Sequence, residues 1–156
     1  MKTFTIYLAG AMGGLSKYEM NGWRLDFISK INIQFPDINF KFLNPVDFYS
    51  FELEPVHNDS QLSENQYNEK EVMEFDLHLV KQSDIVVVNL NFPQSTGTNI
   101  ELFQAYYHLK IPVLAFINNQ YNKILHPWTN CCISRKMNNM YAVINYIGDF
   151  YIPTIK

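Results

Sequence analysis

Cysteine is nearly absent: the chain has two, Cys131 and Cys132, and they are adjacent. With no histidine or second cysteine pair at zinc spacing, they read as reduced thiols in packing roles, and a metal site is not expected. Long apolar runs are missing as well. None reaches the roughly 18 residues that a membrane helix needs, and the short polar start from Met1 to Thr5 lacks the pattern of a secretory signal. A cytoplasmic protein is expected. Blocks of one charge are also lacking, since 12 Lys and Arg against 15 Asp and Glu give a formal net charge of -3. Without a basic cluster to follow a nucleic-acid backbone, the expected partner is a small molecule, with no cofactor, membrane or nucleic-acid polymer.

What is present is ordinary globular material. At 156 residues, 47% of them hydrophobic and 17% charged, the chain suits one domain over 1–156 with a sizeable core. Thr3 to Ala9 is a β-branched and aromatic run closed by Gly10, which reads as a buried strand. Ala11 to Ser16 follows as a loop whose glycines allow close approach to a ligand and expose N–H groups to an anion. An ordinary strand-to-helix turn explains the same residues.

Trp23, Phe27, Ile31 and Phe35 recur every four residues, with Met20 a turn earlier, so the spacing predicts a helix over Tyr18 to Gln34, ended by Pro36. Asn39 to Leu43 reads as a second strand. Val46 to Glu64 has no clear period, and a loop of that length is uncommon unless it covers a site or moves. Helical spacing returns from Asn65 to Gln82, with Val72, Phe75, Leu79 and Val80 on one face and Asp76 beside that stripe.

Ile85 to Leu90 and Ile111 to Ile117 lack alternation, as strands covered on both faces do, and Pro112 must sit at a strand start. Ile124 to Asn130 precedes a short helix, and Tyr141 to Tyr146 is the candidate fifth strand. Strands alternating with helices predict a doubly wound α/β fold: a mostly parallel five-stranded sheet with helices on both faces, of Rossmann or flavodoxin type.

The stretch from Ser83 to Leu109 carries the chemistry. It reads as a buried strand, a loop with Pro93, Ser95 and Gly97, and a helix opening around Asn99 with Glu101 in its first turn. Such a carboxylate sits above the carboxyl edge of a parallel sheet, where α/β proteins bind ligands. Thr98-Asn99-Ile100-Glu101 also fits a capping box, in which the glutamate merely bonds the N-cap backbone. Asp76 could be a solvated residue at a stripe's edge, and Ser95 a turn residue.

In combination, YLAGAMGG, EFDLHLVKQSDIVVVNL and PQSTGTNIELFQAY resemble the nucleoside 2-deoxyribosyltransferase family, and its branch of nucleoside 5'-monophosphate N-glycosidases above all. The resemblance spans roughly Phe4 to Phe116 and continues more weakly through Ile124 to Trp128. It implies that Glu101, in G-T-x-x-E-L, is a nucleophile, that Asp76, in E-x-D-L, helps the base depart, and that Tyr7 orients the nucleophile. It implies substrate-binding roles for Gly10, Ala11, Met12, Gly13, Gly14, Ser95, Gly97 and His126, with Ser95 matching a phosphate-binding serine.

Departures from the family pattern are specific. Ala11 stands where the deoxynucleotide glycosidases have another phosphate-binding serine, His126 replaces a serine donated by the neighbouring subunit, and Asn99 occupies a usual glycine. His126 reads equally well as a structural histidine before Pro127. The resemblance implies a homodimer or higher homo-oligomer that shares active sites, acting on a nucleotide or nucleoside.

That chemistry suits the residues. Breaking an N-glycosidic bond passes through an oxocarbenium-like state that a carboxylate traps covalently while an acid helps the base leave. Water then gives hydrolysis and a second base gives transfer. A nucleotide-binding sensor, with Glu101 only capping its helix, is the reading from a different class.

Overall fold

The computed structural model describes residues 2–48, 68–92 and 95–155. Most of the long loop expected from Val46 to Glu64, the first residues of the helix expected from Asn65, and Pro93 lie outside them.

Among the described residues five strands form one sheet: β1 (Phe4–Gly10), β2 (Phe40–Leu43), β3 (Ile85–Asn89), β4 (Val113–Phe116) and β5 (Arg135–Met137). They stand in the order β2-β1-β3-β4-β5, and every pairing is parallel. The helices are α1 (Lys17–Gln34), α2 (Glu69–Lys81), α3 (Thr96–Phe103), the short α4 (Asn119–Asn122) and α5 (Pro127–Asn130), and α6 (Met140–Tyr146). The expected doubly wound α/β architecture is therefore present, in the flavodoxin-like order.

Two apolar layers flank the sheet. Ile6 and Leu8 of β1 and Ile85 and Val87 of β3 pack with Phe27 and Ile31 of α1 and Val143 and Ile144 of α6. On the other face Tyr7, Ala9, Val86 and Val88 pack with Leu79 and Val80 of α2 and Leu102 and Ala105 from α3 onward. All five residues of β3 are buried, which accounts for its unbroken apolar run. Each fully buried Leu, Ile or Phe contributes about 1.5–3 kcal/mol by leaving water.

One expected strand is a helix. Tyr141 to Tyr146 lies in α6, where Asn139 accepts the N–H of Ala142 at 2.9 Å as its N-cap and Val143, Ile144 and Ile147 are buried at helical spacing. The fifth strand is instead Arg135–Met137, a polar edge strand with Arg135 and Lys136 exposed. Three residues without an apolar alternation give no strand pattern to read. Likewise the short helix expected after Ile124 to Asn130 lies inside that stretch, at Pro127–Asn130, with Pro127 at its first position.

The turn from β1 into α1 follows from local chemistry. Gly14 has φ 78°, a left-handed conformation suited to glycine. Ser16 then caps α1 in a reciprocal box: its hydroxyl accepts the Glu19 N–H, and the Glu19 carboxylate accepts the Ser16 N–H, both at 3.1 Å.

Candidate active site

β1 is flanked by β2 on one side and β3 on the other, so successive connections leave it in opposite directions. The crevice beyond the carboxyl ends of β1 and β3 is the position where such sheets bind ligands. Gly10, the last residue of β1, pairs there with Asn89 of β3.

α3 delivers Glu101 to this edge, and it does so without a capping box. The N-cap is Ser95, whose hydroxyl accepts the Thr98 N–H at 3.2 Å and donates to Thr98 Oγ1 at 2.9 Å. The helix opens at Thr96, three residues before the expected start at Asn99, so Glu101 lies in its second turn. Thr98-x-x-Glu101 is not the cap because the helix has already opened at Thr96, with Ser95 accepting the Thr98 N–H. Asn99 needs no left-handed backbone; its side-chain carbonyl accepts a 2.9 Å bond from Thr129 Oγ1, tying α3 to α5.

Glu101 as a residue keeps some surface, yet its Oε2 has none, and it closes no hydrogen bond with any described residue. Burial pushes this carboxyl up to about 8; Asp76 pushes in the same direction, while the Tyr7 hydroxyl and the Arg24 charge pull it down. Tyr7 is fully buried in β1, and burial with the neighbouring Glu101 and Asp76 holds its phenol well above the usual range. Its hydroxyl stands close enough to influence Glu101, but by distance and angle it is also without a closed bond. Two polar atoms enclosed in this way cost free energy that a bound ligand can recover.

Asp76 belongs to the buried face of α2. With Leu79 and Val80 it is one of that helix's buried residues, whereas Phe75, expected on the apolar stripe, is exposed and meets Phe48 edge-on at 5.2 Å. Successive helix residues stand about 100° apart around the axis, so Asp76 turns inward with Leu79 and Val80 while Phe75 turns away. The structure thus brings Tyr7, Asp76 and Glu101 into mutual electrostatic reach from three elements.

The other expected positions surround them unevenly. Gly10 and Ala11 are buried, Met12 is half-buried, and Gly13 and Gly14 are exposed. Gly97 is exposed in the first turn of α3, and an added Cβ there or at Gly13 would meet nothing within 4 Å. His126 is exposed and its Nδ1 accepts the Trp128 N–H at 3.1 Å as the N-cap of α5, which is the structural role weighed for it. Among the described residues no group of three His, Cys, Asp or Glu could hold a metal, and no helix is long and apolar enough to cross a membrane.

Sequence reasoning missed Arg24. It is fully buried on α1, and its Nε donates to the Leu8 carbonyl at 3.2 Å, its Nη2 to Gly10 O at 3.1 Å and its Nη1 to Met20 O. The signal was available: Met20, Arg24, Phe27 and Ile31 fall at the 4, 3, 4 spacing of one helix face, and only the charge kept Arg24 off the stripe.

A parallel sheet in this order, with Tyr7, Asp76 and Glu101 in electrostatic reach of one another, defines the class: a flavodoxin-like α/β domain. Solved structures share the fold. A conserved protein from Enterococcus faecalis V583 superposes with a TM-score of 0.71 over 95% of this chain and 99% of its own, at 19% identity. A 2-deoxyribosyltransferase from Bacillus psychrosaccharolyticus gives 0.61 over 91% of each chain at 20% identity. A CMP N-glycosidase from Clostridium botulinum gives 0.52 over 94% and 99% at 11% identity. No protein-family model matches the chain, nor does any curated protein sequence.

Proposed function

We propose that this chain, acting as one domain, cleaves the N-glycosidic bond of a nucleoside 5'-monophosphate through a covalent glycosyl-glutamate. Glu101 attacks C1', the C1'–N bond breaks, and the base leaves with the bonding pair while Asp76 assists by hydrogen bonding or proton donation. Water then attacks C1' of the ester, its proton passing to Asp76 or to the departed base, and the C1'–Oε bond breaks to release the sugar phosphate and free the Glu101 carboxylate. Tyr7 holds the carboxylate in line with C1'.

The observation that carries this reading is the enclosed, uncapped Glu101 carboxyl facing Tyr7 and Asp76. A sensor in which Glu101 only caps its helix fits poorly, because Ser95 is the cap. Support for the substrate class comes from the sequence resemblance and from two fold neighbours, a 2-deoxyribosyltransferase and a CMP N-glycosidase. The start of α3, with Ser95 and the open surface at Gly97, suits a phosphate, as does the backbone of the loop from Ala11 to Gly14.

Sugar transfer to a second base is the second reading. It is favoured by one fact: the Ser95 hydroxyl is already engaged with Thr98, which weakens its claim to a phosphate.

Incubating the protein with nucleosides and nucleoside monophosphates, with and without an acceptor base, tests the proposal by the appearance of free base or exchanged nucleoside. Glu101→Gln should lower turnover by about a thousandfold or more while folding is retained, since a neutral amide cannot trap the C1' cation. Near-normal turnover in that variant would end the covalent mechanism.

A further inference from the structure

Arg24 has no role in the chemistry just described, and its surroundings are those of a working group. A guanidinium wholly removed from water is costly unless its donors find acceptors, and here each of its three nitrogens donates to a backbone carbonyl oxygen. Two of the three, Leu8 O and Gly10 O, bracket the last turn of the pleat in β1, directly after Tyr7 and at the entrance to the loop from Ala11 to Gly14. The third, Met20 O, lies a turn earlier in α1, so one side chain ties the end of the strand to the helix beyond the loop.

Space for this arrangement is made at Gly10. An added Cβ there would stand 3.0 Å from the Trp23 ring and 3.5 Å from Arg24 Nη2. Trp23 in turn packs edge-on against Phe116 at 5.6 Å, and the guanidinium lies 4.8 Å from the Trp23 ring centroid. The ring, the glycine and the guanidinium hold one another.

We propose that Arg24 is the positioning residue of this site: it clamps the carboxyl end of β1, and so Tyr7 and the ligand loop, and holds a positive charge within electrostatic reach of Glu101 and Asp76. The proposal rests on the reading of Glu101 as nucleophile and adds a positive charge that acts on the buried carboxyl in the same direction as the Tyr7 hydroxyl. Among the described residues, the groups acting on Glu101 are Tyr7 from β1, Asp76 from α2 and Arg24 from α1; those acting on Arg24 are Tyr7, Glu101, Asp76 and, from the turn after β2, Asp47. Burial lowers the guanidinium to about 10, which leaves it charged at neutral pH. Of the groups acting on Glu101, Arg24 alone brings a positive charge, and Asp76 opposes it.

The two contributions separate by substitution. Arg24→Met removes the charge and the clamp, whereas Arg24→Lys keeps a charge but cannot reproduce the planar fork. The Glu101 carboxyl is followed directly by its side-chain 13C shift against pH in glutamate-labelled protein, with Glu101→Gln assigning the signal. In Arg24→Met the midpoint should rise by about one pH unit or more, and the acid limb of kcat/KM should move with it. In Arg24→Lys the midpoint should stay near that of the wild type while kcat falls by about tenfold or more, with KM within about threefold.

A folded Arg24→Met protein with an unmoved midpoint would overturn the electrostatic role. Wild-type kcat in Arg24→Lys would overturn the clamp, and that arm stands even where Arg24→Met does not fold. If the wild-type protein releases no base from any substrate, the proposed activity fails by itself, and the carbon shifts still decide what Arg24 does to Glu101.

Discussion

A carboxyl shifted upward is a statement about stability as well as about chemistry. The Glu101 side chain has an ordinary value of 4.5 and about 8 in the fold. Between those two pH values the native state keeps a proton that the unfolded chain has lost, so this group's contribution to stability falls as pH rises through the window and levels off above 8. Glu101→Gln cannot ionise. Its melting temperature relative to the wild type should therefore climb steadily from pH 5 to pH 8 and then flatten, by a difference on the order of a few kcal/mol in unfolding free energy. Thermal melts of the two proteins across that range check it, and a constant difference would mean a carboxyl that water reaches freely. The same protonation has a kinetic face. A nucleophile must be ionised, so base release should fall on the acid side of about 8 in the free enzyme.

At the scale of elements, α3 shows how one serine can serve structure and leave a functional question open. Ser95 caps the helix through its hydroxyl, and aspartate caps about as well, with the added favour of a negative charge at a helix N-terminus. Ser95→Asp should therefore fold with nearly unchanged stability. If a 5'-phosphate binds at this helix start, the same variant should lose tenfold or more in kcat/KM on monophosphates and little on nucleosides, as measured by base release on matched pairs. Equal loss on both would remove the phosphate from the proposal. The elements that the sequence made legible are those with a strong apolar period: β1, β3 and β4 as unbroken runs and α1 as a stripe. β5 and α6 exchanged places because Arg135 to Met137 is too short and polar to register, and Tyr141 to Tyr146 is rich in residues that suit either state. Of the site, Tyr7, Asp76 and Glu101 could be named in advance because their neighbours carry recognisable patterns. The cap at Ser95 competed with an equally good local pattern at Thr98, and Arg24 was hidden because a charge on an apolar face is normally read as its edge.

The whole molecule presents an apolar surface on the side of α3 and α5. Trp128 is 79% exposed, with Ile124 at 57%, Phe103 at 48%, Tyr107 at 46% and Ile100 at 41%. The Thr129 to Asn99 bond fixes α5, which carries Trp128, against α3, which carries Ile100 and Phe103. Within its own chain the Trp128 ring meets His126, edge-on at 6.2 Å. An indole left this far in water is the kind of surface that a partner covers. We expect that partner to be a second copy, with the segment from His126 to Trp128 reaching the neighbour's crevice, as the sequence resemblance implies. Trp128→Ala removes little from the fold of one chain, so the variant should stay folded. It should nevertheless weaken association by about tenfold or more, the loss expected from truncating a central aromatic. Activity should decline in step with the dimer fraction. Sedimentation velocity over a range of concentrations, with base release measured on the same samples, tests both halves together. A wild-type chain that sediments as a monomer at full activity would show that one copy completes its own site, and a Trp128→Ala dimer with low activity would move the residue from the interface to the ligand.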